Sequence, residues 1–277
     1  VPGLTATRPG VDNHTPLILL PRSEPARPGA PRVLLLHGMA NNGNVWQPLC
    51  EETGEQWEIW SAELPWRNEG VGSWAHEEDS ARWVAEALTG VTESAGPIDL
   101  VVAHSFSASL LLRVLAEAPA PGPRAAVLVS PFHKPSPDDF DWAMLTGLAT
   151  TFVDAMREGI RVAAAGRGNP ELHDAAALRV CERIGPYAWT RFLQTYLNSP
   201  WVDLDRVDLP CLVLAGEDDL IAPPGDARSL ARRLPSARLE LLPSCGHFPM
   251  AQEAGAFTGK VADFLATLPP LPVTPNP

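Results

Sequence analysis

The chain has 277 residues, 45% of them hydrophobic, with 33 acidic against 21 basic side chains and a formal net charge of −12. That content builds a packed core and excludes a disordered chain, while the negative balance makes nucleic acid and anionic membrane surfaces poor partners. The longest apolar runs, Leu17–Leu20 and Val33–Leu36, fall far short of the roughly 20 residues a membrane span needs, so the expected partner is a small molecule, apolar or acyl-carrying.

Residues 1–31 are rich in Pro, Gly and Arg around one short apolar run and read as an arm with at most one or two edge strands. They hold neither an apolar leader core nor a small-residue cleavage site, so no signal peptide is expected. Cys50, Cys181, Cys211 and Cys245 are scattered, without C-x-x-C or metal-ligand spacing. Reduced thiols in a cytoplasmic protein are the expectation.

From Arg32 onward, β-rich runs at Val33–His37, Glu58–Ala62, Ile98–Ala103, Ala125–Ser130, Cys211–Ala215 and Arg238–Leu242 alternate with helical stretches. The helices are expected near Val45–Glu52, Glu77–Val91, Ala108–Glu117, Asp226–Leu234 and Ala256–Leu268. Alternation with strands apolar on both faces predicts an α/β fold with a mainly parallel, doubly wound sheet. Residues 131–208 break the pattern, and a structureless connection of that length is improbable. Apolar residues at three- and four-residue spacing predict helices there at Phe140–Arg157, Pro170–Ile184 and Tyr187–Leu197. Residues 32–130 and 209–268 then form the core, 131–208 an inserted helical unit, and 269–277 a Pro-rich tail. Asp138, Asp139 and Asp141 stand at a helix start, where the dipole favours acids, so capping is expected rather than metal binding.

Chemistry concentrates at strand ends. Leu100–Ala103 breaks through His104-Ser105-Phe106-Ser107 into a helical run, a strand-to-helix turn flanked by the small residues Ala103 and Ser107. Such a turn holds a serine hydroxyl clear of the sheet at a helix N-terminus. A serine there is also a common helix cap, and the usual Gly-x-Ser-x-Gly has lost both glycines. After Val33–His37 comes Gly38-Met39-Ala40, whose glycine permits close backbone approach. The N–H groups of Met39 and Phe106 are the expected oxyanion donors. Taken alone, His37 reads rather as a locally satisfied histidine of a Gly-rich turn. Further on, Leu212–Ala215 runs into Gly216-Glu217-Asp218-Asp219, and Leu239–Leu242 into Pro243-Ser244-Cys245-Gly246-His247-Phe248. A serine nucleophile needs an imidazole base, and the base an acid that fixes its tautomer. Ser105, Asp219 and His247 supply the three at ends where a parallel sheet binds ligands.

On these motifs the chain resembles the α/β-hydrolase family across roughly residues 30–268, reproducing its Ser, acid, His order. The resemblance implies an α/β-hydrolase-type sheet with a helical cap inserted between two strands, and Asp219 rather than Asp218 as the acid. It implies a serine hydrolase that cleaves a small or medium carboxylic ester, thioester or lactone through an acyl-enzyme, with no metal or organic cofactor. A serine at the turn separates the chain from the dehalogenase and epoxide-hydrolase branches, which carry Asp there. Phe248 stands where plant hydroxynitrile lyases carry Lys. A lyase or eliminase using the same three residues, or a non-catalytic ligand-binding protein, are the alternatives. The Pro-, Ala- and Arg-rich composition suits a biosynthetic role. Candidates for the substrate pocket are His37, His104, His133, Trp142, Leu145, Trp189 and Phe248, with Met144, Leu148, Phe152, Phe192 and Tyr196 beside them. An apolar helix stripe is more often the mark of a plain core. The chain departs from the family in the loop Glu63–Gly70, where bulky Trp66 replaces a glycine and puts the pocket's shape in question. It departs again at Glu253-Ala254-Gly255, where the family reads Glu-x-Pro.

Overall fold

Residues that alternate along each central strand are buried on opposite faces, which is why the runs are apolar throughout. Leu34, Leu36, Val101 and Ala103 join the core on one side of the sheet, and Val33, Leu35, Leu100 and Val102 join the core on the other. The computed structural model describes residues 4–6, 17–22, 29–67, 72–117, 122–164 and 167–269. Parts of the N-terminal arm, of the Glu63–Gly70 loop and all but the start of the tail lie outside them.

The elements in chain order are β1 (Leu4–Ala6), β2 (Leu17–Pro21), β3 (Arg32–Leu36), α1 (Gln47–Thr53), β4 (Glu58–Glu63), α2 (Ala81–Ala95), β5 (Leu100–His104), α3 (Phe106–Glu117) and β6 (Ala125–Val129). They continue with α4 (Trp142–Ala163), α5 (Pro170–Leu197), β7 (Cys211–Gly216), α6 (Pro224–Arg233), β8 (Ala237–Leu242), α7 (Pro249–Gln252) and α8 (Ala254–Ala266). Among the described residues the strands form one eight-stranded sheet in the order β1-β2-β4-β3-β5-β6-β7-β8. β1 and β2 are antiparallel edge strands, and every pairing from β4 to β8 is parallel. The chain leaves β3 for β4 on one side and returns to β5 on the other. That reversal is the point where such sheets bind ligands, and it sets the loop after β3 beside the turn after β5.

α4 and α5 form the cap inserted between β6 and β7. The Asp141 carboxylate caps α4 by accepting the Met144 N–H at 2.7 Å, and Ser136 and Asp139 form a capping box just before it. Asn169 caps α5. The gap expected between Ile184 and Tyr187 appears as a break inside α5, where Gly185 takes φ 74° ahead of Pro186. A positive φ suits glycine, and proline has no N–H to continue the helical ladder. The cap is fastened to the core at buried Asp226 of α6, which accepts the Lys134 ammonium at 2.8 Å, the His133 N–H at 3.1 Å and the Tyr196 hydroxyl at 2.7 Å. Burial, and then the Asp226 carboxylate beside it, push the Tyr196 phenol well above its ordinary range. Among the described residues no helix is long and apolar enough to cross a membrane.

Candidate active site

Ser105 occupies the single residue between β5 and α3 with φ 55°, a left-handed conformation that a non-glycine residue adopts only under constraint. The turn is held from both sides: the Ser105 N–H donates to Val129 O at 2.8 Å, and the Ser105 carbonyl accepts from Ala108 and Ser109. Ser107, where a glycine is usual, donates its hydroxyl to His37 O and accepts from the Trp66 indole at 3.1 Å. It thereby locks the first turn of α3 to the end of β3.

Trp66 is fully buried and packs edge-on against Trp74 and Phe106. Its carbonyl accepts the Ala40 N–H at 2.8 Å. The residue that departs from the family pattern is thus a brace behind the loop bearing Met39. Gly38 explains how close that loop comes, since a Cβ there would lie 2.7 Å from His104 Nδ1 and 3.2 Å from Ser105 Cβ.

Loops after β7 and β8 complete the constellation. His247 Nε2 lies 3.0 Å from Ser105 Oγ, and His247 Nδ1 lies 2.9 Å from Asp219 Oδ2. The other Asp219 oxygen accepts the N–H groups of Ile221 and Ala222 at 2.9 and 2.8 Å. Asp219 is buried whereas Asp218 is exposed. Burial alone would raise the Asp219 pKa, but the His247 ring and the two N–H donors outweigh it and hold the carboxyl below its ordinary value. An ionised acid at Nδ1 keeps the imidazole's free nitrogen facing the serine. Phe106 is the first residue of α3, so its N–H has no intrahelical acceptor. Met39 lines the cavity beside Ser105.

That cavity measures about 40 Å³, and α4 covers it with Leu148, Thr151, Phe152, Ala155 and Met156. Of the pocket candidates, His104 and Phe248 line it, joined by Leu148, Phe152 and Phe192. His104 donates through Nε2 to His247 O at 2.8 Å, and burial, then the neighbouring His247, lower its pKa to about 3. A neutral ring therefore supports the histidine loop from below.

Five of the pocket candidates, and Tyr196 beside them, lie away from this cavity. Trp142 is 81% exposed, because α4 reaches the cavity only from Leu148 onward. Leu145 and Trp189 pack half-buried on the core instead of facing Ser105. His37 is buried behind the β3 loop, donating through Nδ1 to Gly38 O and accepting the Leu64 N–H at Nε2, so both nitrogens are spent on the backbone. His133 lines two other cavities, beyond Phe132. Of the neighbouring apolar candidates, Tyr196 is engaged with Asp226. Cys245 is buried, and burial pushes its thiol up to about 12, so it is a packed neutral side chain.

Two residues went unread in the sequence. Glu158 of α4 accepts the His247 backbone N–H at 3.1 Å and the Gln252 amide at 3.0 Å. Gln252 in turn accepts the N–H groups of Gly246 and Phe248. A mid-helix acid among Asp154, Arg157 and Arg161 carries no sequence signal beyond a solvated face. Among the described residues no group of three or more His, Cys, Asp or Glu is arranged to hold a metal ion.

A serine, an imidazole and a buried carboxylate linked in series at the carboxyl edge of a parallel sheet, under a helical cap, define a hydrolase of the esterase type. Residues 33–259 match the alpha/beta hydrolase family, and the chain belongs to it. It is 24% identical over 234 residues to a pimeloyl-[acyl-carrier protein] methyl ester esterase of Nitrosomonas europaea, covering 79% of this chain and 89% of that one. In fold it is similar to a thermophilic esterase from Thermogutta terrifontis, with TM-score 0.63 at 18% identity over 97% of this chain and 99% of that one. The esterase RhEst1 from Rhodococcus sp. ECU1013 gives TM-score 0.65 at 18% identity, over 96% and 98% of the two chains.

Proposed function

We propose that the chain is a cofactor-independent serine esterase acting on a small-molecule carboxylic ester. Ser105 is the nucleophile. As its Oγ bonds to the carbonyl carbon, His247 Nε2 takes the hydroxyl proton, Asp219 stabilises the imidazolium, and the Met39 and Phe106 N–H groups receive the developing oxyanion. The imidazolium returns its proton to the departing alcohol, leaving an acyl-enzyme. Water, deprotonated by the same imidazole, then releases the acid. Thioesters and lactones present the same acyl carbon and fall within the reading.

The observation that carries it is the unbroken relay from Ser105 Oγ to His247 at 3.0 Å and from His247 to Asp219 at 2.9 Å, in a cavity lined on one side by α4. The Nitrosomonas relative is named for a methyl ester, and that leaving group suits so small a cavity. A fluorophosphonate probe should label the native chain at one serine and leave Ser105→Ala unlabelled. The substitution should also lower p-nitrophenyl acetate turnover by about 10⁴-fold or more. Turnover in ¹⁸O-water should place the isotope in the released acid. Labelling that survives Ser105→Ala, or a product without the isotope, overturns the assignment.

A further inference from the structure

A cleft of about 280 Å³, open to solvent on one side, runs along the seam between core helix α3 and the second half of cap helix α5. It shares only Phe132 with the Ser105 cavity, and that ring packs on Phe192 and Tyr196, so an aromatic wall separates the two spaces. The relay from Ser105 to Asp219 uses nothing in it. Its floor is apolar: Leu110, Leu112 and Ala116 of α3 line it together with Val202 and Leu204 of the segment after α5, and Trp201 borders it 66% exposed.

The charges in the cleft are unevenly matched. Arg113 is paired, with Asp79 at 3.1 Å and Glu117 at 2.9 Å. Half-buried Arg191 is not. Its Nε donates to the Ala75 carbonyl and its Nη1 to the Gln194 amide oxygen, both at 3.0 Å. Both acceptors are neutral, and among the described residues its Nη2 has no acceptor. Exposed Arg206 also lines the cleft, and among the described residues it forms no ion pair. Beside Phe132, His133 closes the cleft; it is 3% exposed, and its Nε2 has no hydrogen-bond partner among the described residues. Beyond His133 lies a wider hollow of about 330 Å³, where Lys134 is already neutralised by Asp226 at 2.8 Å.

A guanidinium fixed by neutral acceptors keeps its full charge and a free edge, and that edge matches a carboxylate, which accepts two parallel N–H bonds. In a chain of net charge −12, which repels anions in general, two guanidiniums without carboxylate partners mark where an anion can settle. The apolar floor and the indole ask for more than a bare ion.

We propose that the cleft between α3 and α5 is a second binding site, separate from the catalytic cavity, for a small carboxylate with an apolar body. Arg191 holds the carboxylate in the field of Arg206, and the body lies on the floor of α3. Such a ligand bridges core and cap behind Phe132, whose ring centroid stands 6.0 Å from that of His247. The inference goes beyond the serine-esterase reading and does not depend on it.

Titration calorimetry on the full chain tests it with three probes: 4-phenylbutyrate, its neutral counterpart 4-phenylbutanol, and inorganic phosphate. 4-Phenylbutyrate should bind one equivalent, with a Kd lower than that of either other probe by about tenfold or more. Arg191→Met should weaken it by about tenfold and Arg206→Met by about threefold. Arg161→Met, on an exposed arginine of α4 outside the cleft, should leave the Kd within about twofold. Where its melting temperature shows that Arg191→Met does not fold, Arg206→Met decides, since it removes only an exposed side chain. Binding should survive blocking of Ser105 by a fluorophosphonate. Equal affinity for the alcohol, affinity unchanged in the folded arginine variants, or binding that vanishes on blocking overturns the proposal; the last places the anion beside Ser105 and leaves the esterase reading standing. A probe that fails to label Ser105 sinks the esterase reading instead, and the arginine variants still decide the cleft.

Discussion

At the scale of single residues, the site depends on side chains kept in states they would not hold in water. Ser105 sits at φ 55° because β5 and α3 over-determine the turn. Asp219 stays ionised while buried because it receives two backbone N–H groups and the His247 ring. Adjacent Asp218 lies exposed and touches none of these. The two neighbours therefore separate cleanly under an isosteric test. Asp219→Asn replaces an acceptor at Nδ1 with an amide that can present its N–H there, which favours the wrong imidazole tautomer, and kcat should fall by about 10³- to 10⁴-fold. Asp218→Asn should stay within about twofold, because a surface carboxylate at this distance is screened by water. Steady-state kinetics on one p-nitrophenyl ester measures both, and the reverse ranking would transfer the role to Asp218. These positions were readable because each follows directly on a β-rich run and a turn signal. The packing of His37, with both ring nitrogens given to backbone groups, was not, since no local pattern tells a buried histidine from one facing a ligand.

At the scale of elements, the strand ends are joined by side chains from elsewhere. Trp66 and Ser107 tie the loop after β4, the end of β3 and α3 to one another. Glu158 ties the cap to the histidine loop, so α4 both roofs the cavity and helps set where His247 stands. Glu158→Ala leaves the His247 N–H and the Gln252 amide without their acceptor, a loss on the order of 1–3 kcal/mol where the groups are shielded from water. The imidazole then wanders from Ser105, and kcat should drop by about tenfold or more with KM changed by less than about threefold. Glu158→Gln keeps an oxygen acceptor and should restore most of kcat, a rescue that loss of charge alone would not give. A fall in KM and melting temperature with kcat preserved would reduce Glu158 to a cap fastener. The strands and both cap helices were legible from periodicity, down to the interruption at Gly185-Pro186. Glu158 was not, because its partner lies 89 residues away and only the closed cap brings them together.

At the scale of the whole molecule, the parallel order and the reversal between β3 and β5 follow from alternating apolar runs and helices, and they place Met39 beside Ser105 before any side chain is considered. What pattern could not convey is how tightly the assembly closes, and that closure has a thermodynamic consequence. Burial of three imidazoles lowers the pKa of His37 to about 4, of His104 to about 3 and of His133 to about 4, against about 6.5 for a free histidine. Between pH 6.5 and 4 the unfolded chain therefore binds protons that the fold refuses. Stability is then full above pH 6.5 and declines as the pH falls toward the folded-state values, by up to about 1.4 kcal/mol per pH unit for each imidazole. Asp219, whose pKa is lowered in the fold, adds its own loss only below the ordinary carboxylate range of about 4. The melting temperature should be level from pH 8 to 7 and fall steeply from pH 6 to 4.5. Calorimetry in buffers of different ionisation heat should record proton uptake on unfolding in that window. His104→Gln should remove about one proton of that uptake, since an amide does not titrate there. A melting temperature that holds steady down to pH 5 would mean that these rings are open to water in solution and not buried as the fold places them.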